Sequence, residues 1–447
     1  ENTAVIDWNF ISEWQPNAKK KLSLNLKESI DFIFTDLCSQ ISGFQSKNIK
    51  EIIEKDSSKK LYYLHRTDAG KRVSYAITDP EMIFEDGDDI EIIRKKEGMS
   101  ERAAELPQWI RDMISQGRVQ YLNIAHPLRK LFLEKPLDRK WRVNIAGLGD
   151  VGSNLLIGLK LLGGDVISEI GIFSNRENVV KRYEMEMNQI CSIEEDSLLS
   201  RGYPVVNAVK RENLMDCDMF IFCASAKVPA VGEEVRDVRM IQYESNREII
   251  SRYAKMARDK DFKGVFAVVS DPVDLLCKAV YDISNKNDMG AFDYDGLLPE
   301  QIEGFGLGVM YARAKYFAGM EKNIQYFSEE GRAFGPHGNG LVIADSIVNY
   351  NREKSELLTE KTVKCNLMVR ELGFKPYIAP ALSSGAIAIL SRIRGKYHYS
   401  CVFIDNAFFG IKNRYTQNGL EIERNVLSDE LFEKIKETHT SLKNMGR

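Results

Sequence analysis

Short apolar runs and amphipathic stretches alternate along the chain from about residue 141 onward. A leucine at every third or fourth position over 155–162 predicts a helix with one apolar face. β-rich runs precede and follow it, and short runs of this kind predict buried strands. The strand candidates are Arg142–Ala146, Ile170–Phe173, Asp218–Ala224 and Val265–Ser270. Strands that alternate with helices indicate a parallel sheet wrapped by helices.

The two flanking regions have a different pattern. Residues 283–447 mix helical stretches with β-rich runs such as Tyr399–Asp405, which indicates a second, α+β domain. Residues 1–140 contain no catalytic motif and no repeat. There the pattern predicts a helix around Leu26–Ile41, a charged helical stretch near Glu101–Gln116, and a hairpin. The predicted hairpin joins Leu61–His65 to Arg72–Ile77 through a turn at Asp68-Ala69-Gly70.

Composition excludes several classes of protein. The 447 residues carry 62 basic and 65 acidic side chains, a net charge of −3, so no basic excess favours nucleic acid. No apolar stretch approaches the roughly 18–20 residues that cross a bilayer, and we expect a cytoplasmic protein with no membrane partner. The odd number of cysteines, seven, and the absence of a C-x-x-C pair predict free, buried thiols. The scattered histidines predict no metal site.

A glycine-rich segment follows the first predicted strand. Residues 147–152 read Gly-Leu-Gly-Asp-Val-Gly, a G-x-G-x-x-G pattern between a strand and a helix. Gly147 permits the tight turn, Gly149 lets backbone amides approach a pyrophosphate, and Gly152 lets the helix pack close to the strand. Asp150 and Val151 lie in the same loop. This context predicts a dinucleotide site, and the fold that it favours is a Rossmann-type doubly wound parallel sheet over 141–282.

The end of the second predicted strand bears on the choice of coenzyme. An NAD site usually has an acidic residue there to bind the ribose hydroxyls, but this chain has Ser174, followed by Asn175 and Arg176. Without the carboxylate, a 2′-phosphate meets no repulsion, and a hydroxyl, an amide and a guanidinium supply donors for it. This favours NADP, with NAD as the alternative. Arg176 as an ordinary solvated loop arginine is the competing interpretation.

Further motifs resemble those of the lactate/malate dehydrogenase family. Residues 269–274 (VSDPVD) resemble its S-N-P-V-D segment, and residues 246–249 (NREI) resemble its N-x-x-I helix. Residues 304–313 (GFGLGVMYAR) resemble G-x-G-x-x-L-D-x-x-R, and residues 335–340 (GPHGNG) resemble G-E-H-G-D-S. With the glycine pattern, these motifs occur in the family's order across 141–447. The first 140 residues match nothing in that family and form an extra N-terminal α+β region of unknown role.

The resemblance implies a role for several residues. His337 would exchange the proton at the substrate oxygen, and Arg313 would bind the substrate carboxylate. Arg239, seven residues before Asn246, would polarise the reacting carbonyl from a mobile loop. That loop is about three residues longer than usual, which makes Arg236 a competing assignment. Asn246 would line the substrate site, and coenzyme contacts would include Ala224 and Ser270.

Two positions depart from the family pattern. Met310 replaces the aspartate that holds the histidine, three residues before Arg313. Asp271 replaces the asparagine of S-N-P, so a carboxylate has been lost at one position and gained at another. An ionised carboxylate accepts hydrogen bonds but cannot donate one, and it favours an amine or iminium over a keto oxygen. We therefore predict that Asp271 pairs with His337 or with a substrate nitrogen.

Two functions remain open at this point. The first is an NADP-preferring dehydrogenase that acts on CH–OH or CH–NH groups of a small 2-hydroxy/2-oxo or amino/imino acid. Residues 283–447 would form its substrate domain. The second is a non-catalytic nucleotide-binding protein with a structural or regulatory role, which Met310 favours. The retention of His337, Arg313 and Arg239 favours the enzyme. The resemblance also implies a homo-oligomer.

Overall fold

The structure is a computed structural model that describes residues 32–35, 60–85, 87–128, 139–191, 202–226 and 238–446, with the backbone alone for 32–35, 238 and 239. The chain divides into two compact units. One comprises Glu1–Pro136 with Tyr415–Glu421, and the other comprises Leu137–Arg414 with Ile422–Arg447. Every residue proposed below for coenzyme or substrate belongs to the second unit.

The first unit contains a four-stranded sheet with the strand order β1-β2-β4-β3. Its strands are β1 (Phe32–Thr35), β2 (Leu61–His65), β3 (Ser74–Ile77) and β4 (Val119–Asn123). Two short helices lie between β3 and β4, α1 (Glu101–Ala104) and α2 (Gln108–Ser115). The predicted charged helical stretch is confirmed in two pieces, because Pro107 cannot continue a helix and instead forms the N-cap of α2.

The predicted hairpin is wrong, although both of its strands exist. β4 lies between β2 and β3, parallel to β2 and antiparallel to β3. Tyr75 of β3 stacks on Tyr121 of β4 with ring centroids 4.3 Å apart. Cross-strand aromatic pairs of this kind stabilise a sheet. β3 therefore pairs with β4, which is distant in sequence, and not with its neighbour in sequence, β2.

The predicted helix around Leu26–Ile41 is contradicted where the structure describes it. Phe32–Thr35 is a strand that pairs in parallel with β2, with Phe32 opposite Leu61. Its sequence, Phe-Ile-Phe-Thr, consists of aromatic and β-branched residues that favour strands. The remainder of the predicted helix lies outside the described residues.

A nine-stranded sheet has the order β15-β14-β13-β10-β9-β8-β5-β6-β7, and its strands other than β15 and the end of β14 belong to the second unit. The strands are β5 (Trp141–Ala146), β6 (Ile167–Phe173), β7 (Val205–Ala208), β8 (Met219–Phe222), β9 (Val265–Val268), β10 (Ile302–Gly304), β13 (His398–Ile404), β14 (Ala407–Thr416) and β15 (Gly419–Ile422). A separate two-stranded sheet comprises β11 (Arg332–Phe334) and β12 (Val342–Ala344). The sheet is parallel from β10 through β7, and β13 pairs antiparallel with β10 and with β14. The predicted α/β class and the predicted strands are confirmed.

Helices connect these strands and cover the sheet. They are α3 (Asp150–Leu162), α4 (Glu177–Asn188), α5 (Val238–Asp259), α6 (Val273–Ser284), α7 (Leu307–Met320), α8 (Phe327–Glu330), α9 (Arg352–Glu371), α10 (Ile387–Ile393) and α11 (Asp429–Met445). A π-helical segment, Pro380–Ala386, leads directly into α10. The hydroxyl of its Ser384 donates to the Gly306 carbonyl and accepts from the Val309 amide, which fixes the start of α7.

The sheet has a core on each face because successive strand residues point to opposite sides. In β8, Met219 and Ile221 pack with the leucines of α3, whereas Phe220 and Phe222 pack in the cluster that includes Ile250 and Ala254 of α5. Both faces of these parallel strands are therefore buried, which explains why they read as continuous apolar runs.

The cysteine prediction holds only in part. Cys217, Cys223, Cys277 and Cys401 are free and buried, and burial raises the pKa of Cys217 and of Cys223 to about 12. Cys191 is instead exposed, because it lies just after the end of α4 and outside either core. Cys38 lies outside the described residues. Among the described helices, none combines the length and apolar character needed to cross a membrane.

Candidate active site

The glycine-rich loop between β5 and α3 has the geometry of a phosphate-binding turn. Gly147 adopts a φ of 107°, and a Cβ there would lie 2.5 Å from the Ala224 nitrogen. A Cβ on Gly152 would lie 2.0 Å from the Gly147 oxygen, so α3 packs closely on the strand end. A Cβ on Gly149 would meet nothing within 4 Å. The loop therefore leaves open space at the N-terminus of α3, where amide groups and the helix dipole favour a phosphate.

The neighbours of this loop are also predicted coenzyme residues. Ala224 follows β8, Ser270 follows β9, and the Ser270 hydroxyl donates to the Ala224 carbonyl at 2.7 Å. Asp150 is the first residue of α3, and its half-exposed carboxylate accepts from the Lys375 ammonium at 3.1 Å. Val151 follows in the first turn of α3. Lys375 has no counterpart in the sequence motifs.

The end of β6 carries the residues predicted to select the coenzyme. The Ser174 hydroxyl accepts from the Arg176 amide at 3.3 Å, and the Asn175 side-chain oxygen accepts from Arg211 at 2.9 Å. The Arg211 guanidinium also lies over the Phe173 ring, 5.2 Å from its centroid. Asn175, Arg176 and Arg211 are all exposed. Arg211 thus adds a second cation to this end of the sheet.

The predicted proton-transfer residues are in contact. His337 Nδ1 lies 2.9 Å from an Asp271 carboxylate oxygen, with side-chain exposures of 10% and 44%. A Cβ on Gly306 would lie 3.0 Å from the His337 Cβ, so this glycine allows the histidine to approach the start of α7. The predicted pairing of Asp271 with His337 is therefore present in the structure.

The second ring nitrogen of His337 is available for another partner. Nε2 is buried and makes no hydrogen bond to any residue that the structure describes. A buried polar atom left without a partner costs about 1–3 kcal/mol, so this nitrogen favours a ligand that supplies one. With Nδ1 held by Asp271, Nε2 is the ring nitrogen left for a ligand among the described residues.

Arg313 lies on α7 and is buried, with 7% of its side chain exposed. Its guanidinium donates to the Asn366 side-chain oxygen at 2.5 Å and to the Met310 sulfur at 3.6 Å. Burial lowers the pKa of Arg313, an effect opposed by Cys365 and by the negative charge of Asp271. Over the described residues, no carboxylate forms an ion pair with this guanidinium. The site therefore holds a desolvated cation whose acceptors are both neutral.

Asn246 and the two candidate loop arginines complete the predicted set. Asn246 is fully buried in α5, where its side chain donates to the Asp271 carbonyl at 2.7 Å and accepts from the Ala226 amide at 2.8 Å. It therefore fixes the backbone that carries Asp271. Arg239 lies in the first turn of α5, and its side chain is outside the description. Arg236 lies outside the described residues altogether.

A cavity of about 800 Å³ extends from Asp150 to Arg313. α7, α9 and the segment that follows α9 line it, mainly with apolar side chains. Cys365 and Val369 contribute from α9, next to the Asn366 that contacts Arg313. The cavity thus joins the loop predicted to bind phosphate to the buried cation predicted to bind a carboxylate.

Known proteins with similar sequences are L-lactate dehydrogenases. The chain is 22% identical over 340 residues to the L-lactate dehydrogenase of Staphylococcus epidermidis (strain ATCC 12228 / FDA PCI 1200). The matched region covers 68% of this chain and 98% of the relative. It is 25% identical over 199 residues to L-lactate dehydrogenase 2 of Staphylococcus aureus (strain JH9), which covers 44% of this chain and 54% of that protein. The chain is thus similar to L-lactate dehydrogenases at low sequence identity. No protein-family model matches it.

The fold of this lactate dehydrogenase-like chain agrees with that relationship. A lactate dehydrogenase enzyme from a Medee basin deep-sea metagenome library superposes with a TM-score of 0.54 at 17% identity, covering 68% of this chain and 98% of that one. The similarity confirms the Rossmann-type fold.

Three residues near this lactate dehydrogenase-like site were not predicted. Arg211, Asn366 and Lys375 belong to none of the motifs, and each reaches a predicted residue through the fold. Only Arg211 had a usable signal, since it follows β7, the strand beside β6. A cation after that strand is expected near the ribose end of the site.

Proposed function

We propose that this chain is an NADP-preferring dehydrogenase that transfers a hydride to or from a small carboxylate-bearing 2-oxo or 2-hydroxy acid. The observation that carries the proposal is the contact between His337 and Asp271, with Nε2 of His337 left buried and unbonded among the described residues. Arg313 lies within electrostatic range of the same Asp271. A proton-exchanging group and an anion-binding group therefore occupy one site.

Arg313 binds and orients the substrate in this proposal. A guanidinium offers two parallel donors to a carboxylate, which fixes the adjacent carbonyl carbon as well as holding charge. Its present acceptors are an amide oxygen and a thioether, so a carboxylate would be a better partner for the buried charge. Asn366 would keep one edge of the guanidinium in place.

His337 exchanges the proton at the substrate oxygen. During reduction, Nε2 donates a proton to the oxygen of the carbonyl, and during oxidation it accepts the proton of the hydroxyl. Asp271 acts as a positioning residue, since its hydrogen bond to Nδ1 sets the ring orientation and the tautomer. Arg239 would polarise the carbonyl. The bound coenzyme supplies the hydride for reduction and accepts it in the reverse direction.

The preference for NADP rests on the ribose end of the site. No acidic side chain occupies the position of Ser174, and the exposed guanidinium groups of Arg176 and Arg211 follow β6 and β7. Arg211 reaches Asn175, the residue after Ser174. A 2′-phosphate would gain charge-assisted hydrogen bonds here, whereas a bare ribose would lose its usual carboxylate acceptor.

An imino acid is a second candidate substrate. Asp271 remains 44% exposed while it contacts His337, so one carboxylate could also accept from a substrate nitrogen. A carboxylate beside the reacting centre stabilises an iminium and repels a second carboxylate. Reduction with and without ammonium separates the oxo acid from the imino acid.

The test is a screen of 2-oxo acids with NADPH and with NADH, each with and without ammonium, by coenzyme absorbance. We expect oxidation of NADPH by at least one acid, and its loss in His337→Asn. If both coenzymes bind but no acid is turned over in any condition, the non-catalytic nucleotide-binding function replaces the proposal. Activity that is unaffected by His337→Asn would refute the role given to this site.

We also propose a cytoplasmic homo-oligomer. Four cysteines of the second unit are buried free thiols, which agrees with a reducing compartment. Sedimentation velocity of the full chain tests the assembly, and a monomer at micromolar concentration would contradict it.

A further inference from the structure

The cavity between Asp150 and Arg313 carries an inference that rests on the proposed dehydrogenase function. We infer that the substrate is a 2-oxo or 2-hydroxy acid with a bulky apolar side chain, its carboxylate on Arg313 and its side chain among the apolar residues around the cavity. Lactate and pyruvate, with a single methyl group, would leave most of that lining uncovered.

The lining combines one buried cation with an apolar surface. Arg313 is buried, and its neighbours in the cavity wall are Val309 and Ala312 of α7 and Val369 of α9. Beyond them the wall becomes exposed, with Tyr316 at 61% and Phe374 at 71% exposure. Large apolar side chains that are exposed together usually mark a binding surface. A ligand that covers them needs an apolar body.

The charges around the cavity specify the other end of the ligand. Lys375 lies in the wall but is already paired with Asp150 at 3.1 Å. Arg313 has only Met310 and Asn366 as hydrogen-bond acceptors among the described residues. Of the described cations in the cavity wall, the one without a carboxylate at ion-pair distance is therefore the buried one. A carboxylate with an apolar extension matches this arrangement, whereas a dicarboxylate would place its second charge among apolar side chains.

The size of the cavity agrees with such a ligand. A volume of about 800 Å³ lies in the upper part of the range of roughly 300–1,000 Å³ found for small-molecule sites. Asp150 directly follows Gly149, so the coenzyme would occupy part of this volume. The apolar side chains of α7 that flank Arg313, and Val369 of α9, remain for the substrate.

Substrate selectivity is the first measurement. With the coenzyme that the wild type prefers, kcat/KM is determined for pyruvate, 2-oxobutanoate, 4-methyl-2-oxopentanoate, phenylpyruvate and oxaloacetate. Each methylene that becomes buried should raise kcat/KM about fourfold, which corresponds to about 0.8 kcal/mol. We expect 4-methyl-2-oxopentanoate to exceed pyruvate by roughly 50-fold, and oxaloacetate to be the poorest substrate. Equal or better efficiency with pyruvate would overturn the inference and leave the dehydrogenase proposal intact.

A matched pair of variants on α9 locates the effect. Val369 lines the cavity, and Val363, 40% exposed on the same helix, does not. Val369→Ser should reduce the preference for 4-methyl-2-oxopentanoate over pyruvate by about three- to tenfold. Val363→Ser should leave this ratio unchanged. A Val369→Ser variant that alters the sedimentation coefficient but not the ratio would assign this face to contacts between copies and overturn the inference.

A binding measurement separates failure of the inference from failure of the proposed function. Calorimetric titration of the full chain with 4-methylpentanoate and with acetate requires no turnover. We expect at least tenfold tighter binding of 4-methylpentanoate, and loss of that binding in Arg313→Gln. If no oxo acid is reduced but this difference is present, the cavity is assigned correctly and the dehydrogenase proposal fails. If the two carboxylates bind alike, the inference fails whatever the enzyme does.

Discussion

The described part of the second unit contains two histidine–carboxylate pairs, and they differ in what surrounds them. His398 Nε2 lies 2.7 Å from Glu303, with side-chain exposures of 3% and 0%, and Nδ1 lies 3.0 Å from the Lys396 carbonyl. Arg392 also donates to Glu303 at 3.0 Å. In the His337–Asp271 pair, one ring nitrogen is bonded, the other has no hydrogen-bond partner among the described residues, and the carboxylate reaches solvent.

The difference separates a structural pair from a reactive one. Both ring nitrogens of His398 already have hydrogen-bond acceptors, so the ring cannot bond to a substrate. The pair joins β10 to β13 within the sheet. His337 keeps Nε2 available. Residue type and burial alone would make His398 the better candidate for a catalytic histidine. The hydrogen bonds of each ring must therefore be counted before a buried histidine is given a chemical role.

The largest expected effect is on catalysis and comes from Asp271→Asn. The amide can still fill the space but cannot supply the negative charge that holds Nδ1–H of His337. We expect the substrate selected by the screen to be turned over about 10²- to 10⁴-fold more slowly, with KM changed less. Adding Met310→Asp, which restores the family's carboxylate on α7, should recover activity toward a plain 2-oxo acid. Full activity of Asp271→Asn alone would show that the His337–Asp271 pair only stabilises the fold, as the His398–Glu303 pair does.

The structural pair should respond in stability. Burial alone would raise the pKa of Glu303, but the hydrogen bond and charge of His398 and the charge of Arg392 outweigh it and lower that pKa. Glu303→Gln should cost about 3–5 kcal/mol of unfolding free energy, because two buried donors lose their ionic partner. Urea denaturation measures it, with Glu360→Gln, an exposed carboxylate on α9, as the control.

The sign of the pKa change fixes the pH dependence of this contribution. Because the pKa of Glu303 is lower in the folded protein, the stabilisation is complete above the ordinary glutamate pKa and is lost as pH falls through the folded value. The wild type and Glu303→Gln should therefore converge in stability at acidic pH. A constant difference between them across that range would mean that the charge of Glu303 is not what stabilises the sheet.

The sequence anticipated the parts of the site that depend on local motifs. The glycine loop could be predicted because a turn between a strand and a helix constrains adjacent residues, and the Asp271–His337 contact followed from two coordinated departures within known motifs. Asn366 could not be assigned, since it meets Arg313 across 53 residues of sequence, and Arg211 was missed although it follows a β-strand, because its contact with Asn175 spans 36 residues. The hairpin prediction failed for the same reason, because β4 reaches β3 from more than 40 residues away.

Substrate anchoring should show an intermediate effect. Arg313→Lys keeps the positive charge but cannot present two parallel donors to a carboxylate, so the reacting carbon is less well fixed. We expect about a 10²-fold loss of kcat/KM, the scale of a misplacement of about 1 Å. Arg370→Lys, an exposed position on α9, is the control for a mild effect on the fold. Unchanged efficiency in Arg313→Lys would mean that the carboxylate binds elsewhere.

The smallest expected effect concerns the ribose end of the coenzyme site. Ser174 replaces the acidic residue usual in NAD sites, which should change coenzyme affinity without changing hydride or proton transfer. Fluorescence titration of the wild type should show tighter binding of NADPH than of NADH. Ser174→Asp returns a carboxylate next to the 2′-phosphate and should weaken the binding of NADPH by about 1–3 kcal/mol while sparing that of NADH.

Arg211→Gln should also weaken the binding of NADPH, but by less. Its guanidinium is exposed to solvent and already donates a hydrogen bond to Asn175, so only part of its charge would act on the phosphate. Arg182→Gln, an exposed arginine of α4 paired with Glu186, serves as the control and should change neither affinity. Equal affinities in the wild type, or tighter NADH, would contradict the coenzyme assignment without touching the His337–Asp271 pair.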